Sequence, residues 1–243
     1  MSIVNTLTLE SNRQIKINFD GGDLSSDAGL LLIKEFAAKI GFTKLIKKKF
    51  KTNDEAVRFH KDAENLLQMI YQVISAYFQD DCADELTLDP VFLAVLGKES
   101  LASQPTLSRF FNRMDEDTLV QFNDIDKKLR DIIYSIKRPE HVLFDLDSTL
   151  FGTYGRQEGE GFNFHYQAHG YHPLLCYDGL TGDLLKAELR NGTLHCSNGA
   201  DKFMESIFQE YLERGLKTYL RGDSGFSSPK LCNTANLVVL VTV

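Results

Sequence analysis

The feature that most constrains the fold is a break in periodicity at Pro139. Before it, apolar residues recur at three- and four-residue spacing; after it they run together or alternate, with glycine turns between the runs. Residues 141–150, HVLFDLDSTL, read as a buried strand that carries acids toward its end. Helical period on one side and strand period on the other divide the chain into a mainly helical region, 1–138, and an α/β region around a mixed sheet, 139–243.

Within the first region, the alternation of Ile15, Ile17 and Phe19 suits a strand before a turn at Gly21 and Gly22. Helices are expected from Ser25 or Ser26 to about residue 40, over 54–78, over 89–96 with Pro90 in the first turn, over 103–114 with Thr106 as cap, and over 116–136. In the second region, strands are expected over 170–177, 184–190 and 217–221, a helix over 201–213, and a final apolar β-branched run over 237–243.

Composition enters as a set of exclusions. A 243-residue chain with 43% hydrophobic and 25% charged residues is globular rather than disordered. Its net charge of −7 argues against a chain that is basic throughout, so nucleic-acid binding has to rest on local patches. Cys82, Cys176, Cys196 and Cys232 form no CxxC pair and suggest neither a zinc module nor a disulfide framework. The N-terminus lacks a basic segment followed by an apolar core, and no apolar run is long enough to span a bilayer, so a cytoplasmic protein without membrane contact is expected.

Three carboxylates stand out because apolar sequence surrounds them: Asp145 and Asp147 in VLFDLDST, and Asp223 in the glycine-flanked turn RGDSGF. Strand alternation puts Asp145 and Asp147 on one face, and Asp223 follows a strand-like LKTYLR. Clustered carboxylates repel one another unless a divalent cation neutralises them, which points to Mg2+ or Mn2+ and to phosphodiester chemistry. The competing reading is that an acid beside Ser or Gly at a strand end is a turn former or a helix cap. Spacing alone leaves both readings open.

These segments resemble the DDE transposases of bacterial insertion sequences, specifically the insertion sequence thirteen-eighty group. The resemblance lies in FDGGDLSSDAGLLLI at 19–33, AYFQDDCADELTLDPVF at 76–92, SQPTLSRFFNR at 103–113, LFDLDSTLFGTYGRQEG at 143–159, GYHPLLCYDGLTGDLL at 170–185, LRNG at 189–192 and LRGDSGF at 220–226. It implies a ribonuclease H-like catalytic domain with its first acid on the first strand and its second at the end of the fourth. Asp147 and Asp223 would then be the catalytic, metal-holding acids, with Asp145 a neighbour that joins the metal site or serves structure. The family's third acid, a glutamate on a later helix, has no counterpart among the 20 residues after Asp223, and Glu205, Glu210 and Glu213 precede it. The expectation is a domain truncated before the third acid, impaired in cutting. The implied partner is DNA, both the element's terminal inverted repeats and the target, with a homodimer as a candidate assembly.

Weaker signals concern DNA contact. KLIKKKFK at 44–51 holds five lysines in eight residues, and Lys47, Lys48 and Lys49 are read either as phosphate ligands or as a solvated face. Arg109 and Arg113 on the 103–114 helix are further candidates, as are Arg190 and Arg221, which could face phosphate or pair with the acids. Zinc at His165, His169 and His172 is disfavoured for want of cysteines. Two alternatives compete: a dehalogenase-like phosphohydrolase suggested by DLDST, for which RGDSGF does not supply the downstream groups, and a non-catalytic remnant that occupies transposon ends.

Overall fold

The computed structural model describes residues 6–21, 25–235 and 239–240. The chain divides into two compact units, Met1–Ile136 and Lys137–Val243.

The first unit opens with an antiparallel hairpin, β1 (Thr6–Thr8) and β2 (Lys16–Asn18). The helices that follow are α1 (Leu30–Lys39), α2 (Phe42–Lys49), α3 (Asp62–Ile74), α4 (Cys82–Glu85), α5 (Pro90–Leu96), α6 (Gln104–Phe111) and α7 (Glu116–Ile136). Capping explains several boundaries. Asp89 accepts hydrogen bonds from the Val91 and Phe92 amides, and Pro90, with no N–H to lose, fills the first position of α5. The helix expected to be capped by Thr106 instead begins at Gln104, with Ser103 in the cap position and Pro105 in the first turn.

Two expected helices are shorter than their apolar periodicity. Residues 54–61 stay non-helical because Asp54 turns its carboxylate onto the Ala56 amide at 2.9 Å and onto Arg58, an alternative to helical hydrogen bonding. Asp62 also accepts from the Thr52 amide at 3.1 Å and the Thr52 hydroxyl at 2.6 Å, fixing the chain just ahead of α3. Similarly, residues 26–29 form turns rather than the start of α1. The expected turn at Gly22 lies outside the described residues.

Apolar clusters hold this unit together. Leu30, Tyr71, Phe92 and Leu101 belong to one, and Ile46, Phe50, Leu66, Leu67, Phe110 and Ile125 to another. Phe50 meets Phe110 edge-on at 5.9 Å between ring centres.

The second unit is built on a five-stranded sheet in the order β10-β9-β3-β7-β8. In chain order its strands are β3 (His141–Ser148), β7 (Leu174–Asp178), β8 (Leu184–Glu188), β9 (Lys217–Gly222) and β10 (Val239–Leu240), with α8 (Ala200–Glu213) crossing from β8 to β9 and α9 (Pro229–Ala235) from β9 to β10. β3 runs antiparallel to β7 and parallel to β9, and β9 is parallel to β10, so the sheet is mixed. A separate three-stranded sheet, β4-β6-β5, comprises β4 (Phe151–Gly152), β5 (Gly161–Asn163) and β6 (Ala168–Tyr171). The single strand expected over 170–177 is therefore two strands in two sheets, parted at His172 and Pro173. The rest of the run expected over 237–243 lies outside the described residues.

The core of the second unit follows from alternation along β3. Val142, Phe144 and Leu146 are all but inaccessible, while Leu143, Asp145 and Asp147 project from the opposite face. Phe144 meets Tyr211 of α8 at 5.0 Å and Phe208 at 5.8 Å, and burying such a ring is worth about 2–3 kcal/mol. The Lys186 ammonium ties β8 to α8 by donating to the Phe203 carbonyl and Ser206 Oγ, both at 2.8 Å.

Candidate active site

Parallel pairing of β3 with β9 sets the acids side by side. The register aligns Asp145 with Arg221 and Leu146 with Gly222, so one further step brings Asp147 level with Asp223, about 5 Å apart between backbones. Asp147 thus sits near the end of the first strand of the five-stranded sheet, and Asp223 just past the end of its fourth strand in chain order.

Both carboxylates are exposed, and each has one oxygen held by local backbone. Asp147 accepts the Ser148 amide at 2.7 Å, and Asp223 accepts the Gly225 amide at 2.9 Å, capping a short 3-10 turn, Ser224–Phe226. Among the described residues, neither is paired with a cationic side chain. Asp145, Asp147, Tyr177, Arg221 and Asp223 line one open hollow.

Asp145 is differently placed from the other two. The Arg221 guanidinium grips it bidentately, Nε at 2.9 Å and Nη2 on the second oxygen. That bond raises the Arg221 pKa still further. Gly179 makes room for it: a Cβ there would stand 3.1 Å from Arg221 Nη2 and 3.3 Å from Asp145 Cβ. Of the two roles the sequence left open for Arg221, the geometry shows pairing with an acid.

Arg190 is also turned inward. It is 6% exposed, and its guanidinium donates to the carbonyls of His172 at 3.0 Å and Asn198 at 2.5 Å, with longer approaches to His195, Cys196 and Ser148. Burial pushes its pKa down, though not out of the range in which an arginine is charged. The residue expected at a DNA phosphate instead fastens the 191–199 loop beside Ser148.

Cys196 of that loop was not singled out by any sequence signal. Burial raises its thiol pKa, and the negative charge of Asp223 adds to the effect. The protonated Sγ donates to the Gly225 carbonyl at 3.1 Å, and a Cβ on Gly225 would come within 2.6 Å of it. The loop braced by Arg190 thereby clasps the turn that carries Asp223.

In the helical unit, Lys47 and Lys48 are exposed on α2, whereas Lys49 pairs with Asp124 at 3.2 Å. Arg109 is exposed on α6, but Arg113 is largely buried against Asp62 at 2.7 Å. Asp62 feels burial most, which pushes its pKa up, yet its bonds to Thr52 and Arg113 prevail and hold it below the ordinary carboxylate range.

Two acids on neighbouring parallel strand ends, flanked by a bound Asp-Arg pair, are hard oxygen donors of the kind that hold Mg2+ or Mn2+. Among the described residues, no three His, Cys, Asp or Glu side chains are arranged to hold a metal ion, consistent with Asp145 being held by Arg221.

The family model for the transposase DDE domain, group 1, matches residues 7–237. The chain belongs to that family. This DDE domain also aligns with solved transposases. The cryo-EM structure of a piggyBac transposase synaptic complex with hairpin DNA is 16% identical at a TM-score of 0.38, covering 84% of this chain and 46% of that one. The crystal structure of the Mos1 mariner catalytic domain is 11% identical at 0.29, covering 52% and 61%. A Mos1 paired-end complex with Mn is 11% identical at 0.27, covering 91% and 69%. The DDE domain chain therefore spans less than two thirds of the length of the first two. No curated protein matches it. No helix among its described residues is long and apolar enough to cross a membrane.

Proposed function

We propose that this chain is part of an insertion-sequence transposase of the thirteen-eighty group. In this reading its second unit is a ribonuclease H-like catalytic domain and its helical unit recognises transposon ends. The observation that carries the reading is the placement of Asp147 and Asp223 on adjacent strand ends. Their open oxygens would hold Mg2+ or Mn2+, which when bound activates water or a 3′-hydroxyl and stabilises the leaving oxygen. Asp145 keeps Arg221 beside the metal-holding pair and is a neighbour rather than a ligand.

DNA is the proposed partner, with Lys47, Lys48 and Arg109 the side chains best placed to meet phosphate on the helical unit. A second reading is that the chain by itself occupies DNA ends without cutting them.

The experiment is a Mg2+- or Mn2+-dependent cleavage assay on DNA bearing the element's terminal repeats, run on this chain, on Asp147→Asn and Asp223→Asn, and on a version extended to the next downstream glutamate. Cutting by the extended protein, abolished by either substitution, is the expected result. Cutting that survives both substitutions would falsify the assignment.

A further inference from the structure

The helical unit carries a groove of about 270 Å3 between the end of α3, the turn that follows it and α6, lined by Met69, Gln72, Val73, Phe78, Leu107 and Phe111 among others. Its apolar edges face water: Phe78 is 75% exposed, Val73 55% and Phe111 45%. Apolar side chains exposed singly are ordinary, whereas three around one concave surface mark a place where something docks.

The turn presents this edge. Ala76 has a left-handed backbone, φ +65°, a conformation that costs a residue with a Cβ, and its amide and that of Tyr77 close α3 on the Val73 and Gln72 carbonyls at 3.0 and 2.9 Å. Tyr77 is thereby turned in, donating to Asp27 at 3.0 Å and meeting Phe92 at 6.0 Å, and Phe78, the next residue, is left outside.

Two glutamines one helical turn apart on α3 separate structure from site. Gln68 is 2% exposed and its amide is satisfied, donating to the Ala102 carbonyl and accepting the Ala102 N–H, both at 2.8 Å. Gln72 is 4% exposed and lines the groove, yet its Nε2 has no hydrogen-bond partner among the described residues. A buried amide donor left unmade weakens the fold, so one kept among apolar walls points to an acceptor that arrives from outside.

The rim fixes the sign of what arrives. Asp80 lines the groove, and Asp81, Asp84 and Glu85 follow it, all four exposed. Asp80 and Asp84 accept from the neutral Gln104, through its side-chain amide at 3.1 Å and its backbone amide at 2.8 Å, which leaves their charge in place. Such a rim repels phosphate and attracts lysine or arginine.

We infer that this groove docks the C-terminal end of a basic amphipathic helix from a partner protein. An aliphatic or aromatic side chain of that helix enters between Val73, Phe78 and Phe111. A carbonyl of its last turn, which has no intrahelical donor, accepts from Gln72 Nε2, and a lysine or arginine of the same turn meets Asp80 and Asp81. The surface belongs wholly to the helical unit and does not depend on the reading of the acid pair.

The test uses fluorescence anisotropy with the full chain and two labelled helix-forming peptides of alanine, leucine and either lysine or glutamate, with leucines at i and i+4 and the charges in the last turn. The lysine peptide is expected to bind about tenfold more tightly than the glutamate peptide, with the gap closing as salt rises. Phe78→Ala and Gln72→Leu are each expected to weaken the lysine peptide by about fivefold or more. Gln72→Leu removes an unsatisfied donor at similar volume and should melt at or above the wild-type temperature, and the exposed Phe78 ring can be shortened without loss of folding, so weaker binding reads the groove rather than the fold. Sedimentation velocity of the chain alone runs beside it. Equal binding of the two peptides, binding of neither, or binding that survives both substitutions overturns the proposal, as does concentration-dependent self-association abolished by Phe78→Ala, which assigns the groove to a second copy.

Discussion

Arg190 offers a decision between two roles that predict opposite measurements. Replacing it with Met keeps the length and apolar stem but removes the donors that serve the His172 and Asn198 carbonyls at 3.0 and 2.5 Å. Hydrogen bonds to a charged group are worth about 1.5–3 kcal/mol each, so two of them, partly replaced by water entering the loop, put the loss at about 3 kcal/mol. For a chain of this length each kcal/mol lowers the melting temperature by about 2–4 °C, giving an expected drop of about 6–12 °C. Thermal unfolding followed by circular dichroism reads this directly, with amide exchange over 191–199 reporting the local effect. Arg190→Lys, which keeps the charge but not the fork, should recover less than half of the loss. A drop below about 2 °C, together with weakened, less salt-dependent DNA binding, would refute the bracing role and restore Arg190 to the DNA face.

Two further perturbations test other parts of the structure. Gly192→Ala would place a Cβ 2.3 Å from the Gly170 carbonyl oxygen and 2.4 Å from that of Gly161, backbone atoms that cannot swing aside, so soluble yield and melting temperature should fall sharply; a variant that melts like the wild type would contradict that packing. Asp62 has a depressed pKa, so its contribution to stability is fully present above its unfolded value of about 3.9 and is lost as pH falls through the lower folded value. Melting temperature should therefore fall more steeply for the wild type than for Asp62→Asn below about pH 4, and parallel curves would count against the network with Thr52 and Arg113.

Local patterning shows through where the deciding interactions are local. Asp89 and Pro90 start α5 by a cap and a missing N–H, both visible in two adjacent letters. The shared face of Asp145 and Asp147 follows from the period of a strand, and the strand is where its apolar run placed it. What the letters do not carry is who meets whom across the fold. Arg190 and Arg221 look alike in sequence, yet one is sunk among carbonyls and the other lies on Asp145. The break of the 170–177 run into two sheets is hidden because His172 and Pro173 interrupt the pairing without interrupting the apolar pattern. Residues 54–61 repeat the lesson: a side-chain oxygen of Asp54 captures the Ala56 amide that periodicity assigned to a helix, and Asp62 holds the Thr52 amide ahead of α3. A cavity beside Asp223, lined by Ser148, Phe164, Tyr166 and His195 among others, is likewise assembled from β3, the 164–166 segment, the 193–196 loop and the Asp223 turn, and no one stretch announces it.

The parallel pairing of β3 with β9 also governs when the acid pair can exist during folding. Asp145 and Arg221 meet across 76 residues of chain, and closing a loop of that length costs about 4 kcal/mol in chain entropy before any contact offsets it. The offset comes from the α8 crossover, whose Phe208 and Tyr211 meet Phe144 on the face of β3 opposite the acids. The carboxylates therefore contribute nothing to bringing themselves together. Their mutual repulsion is imposed by apolar burial on the reverse side of the same strand, so a lesion in α8 that touches neither acid disperses the site as surely as replacing one of them.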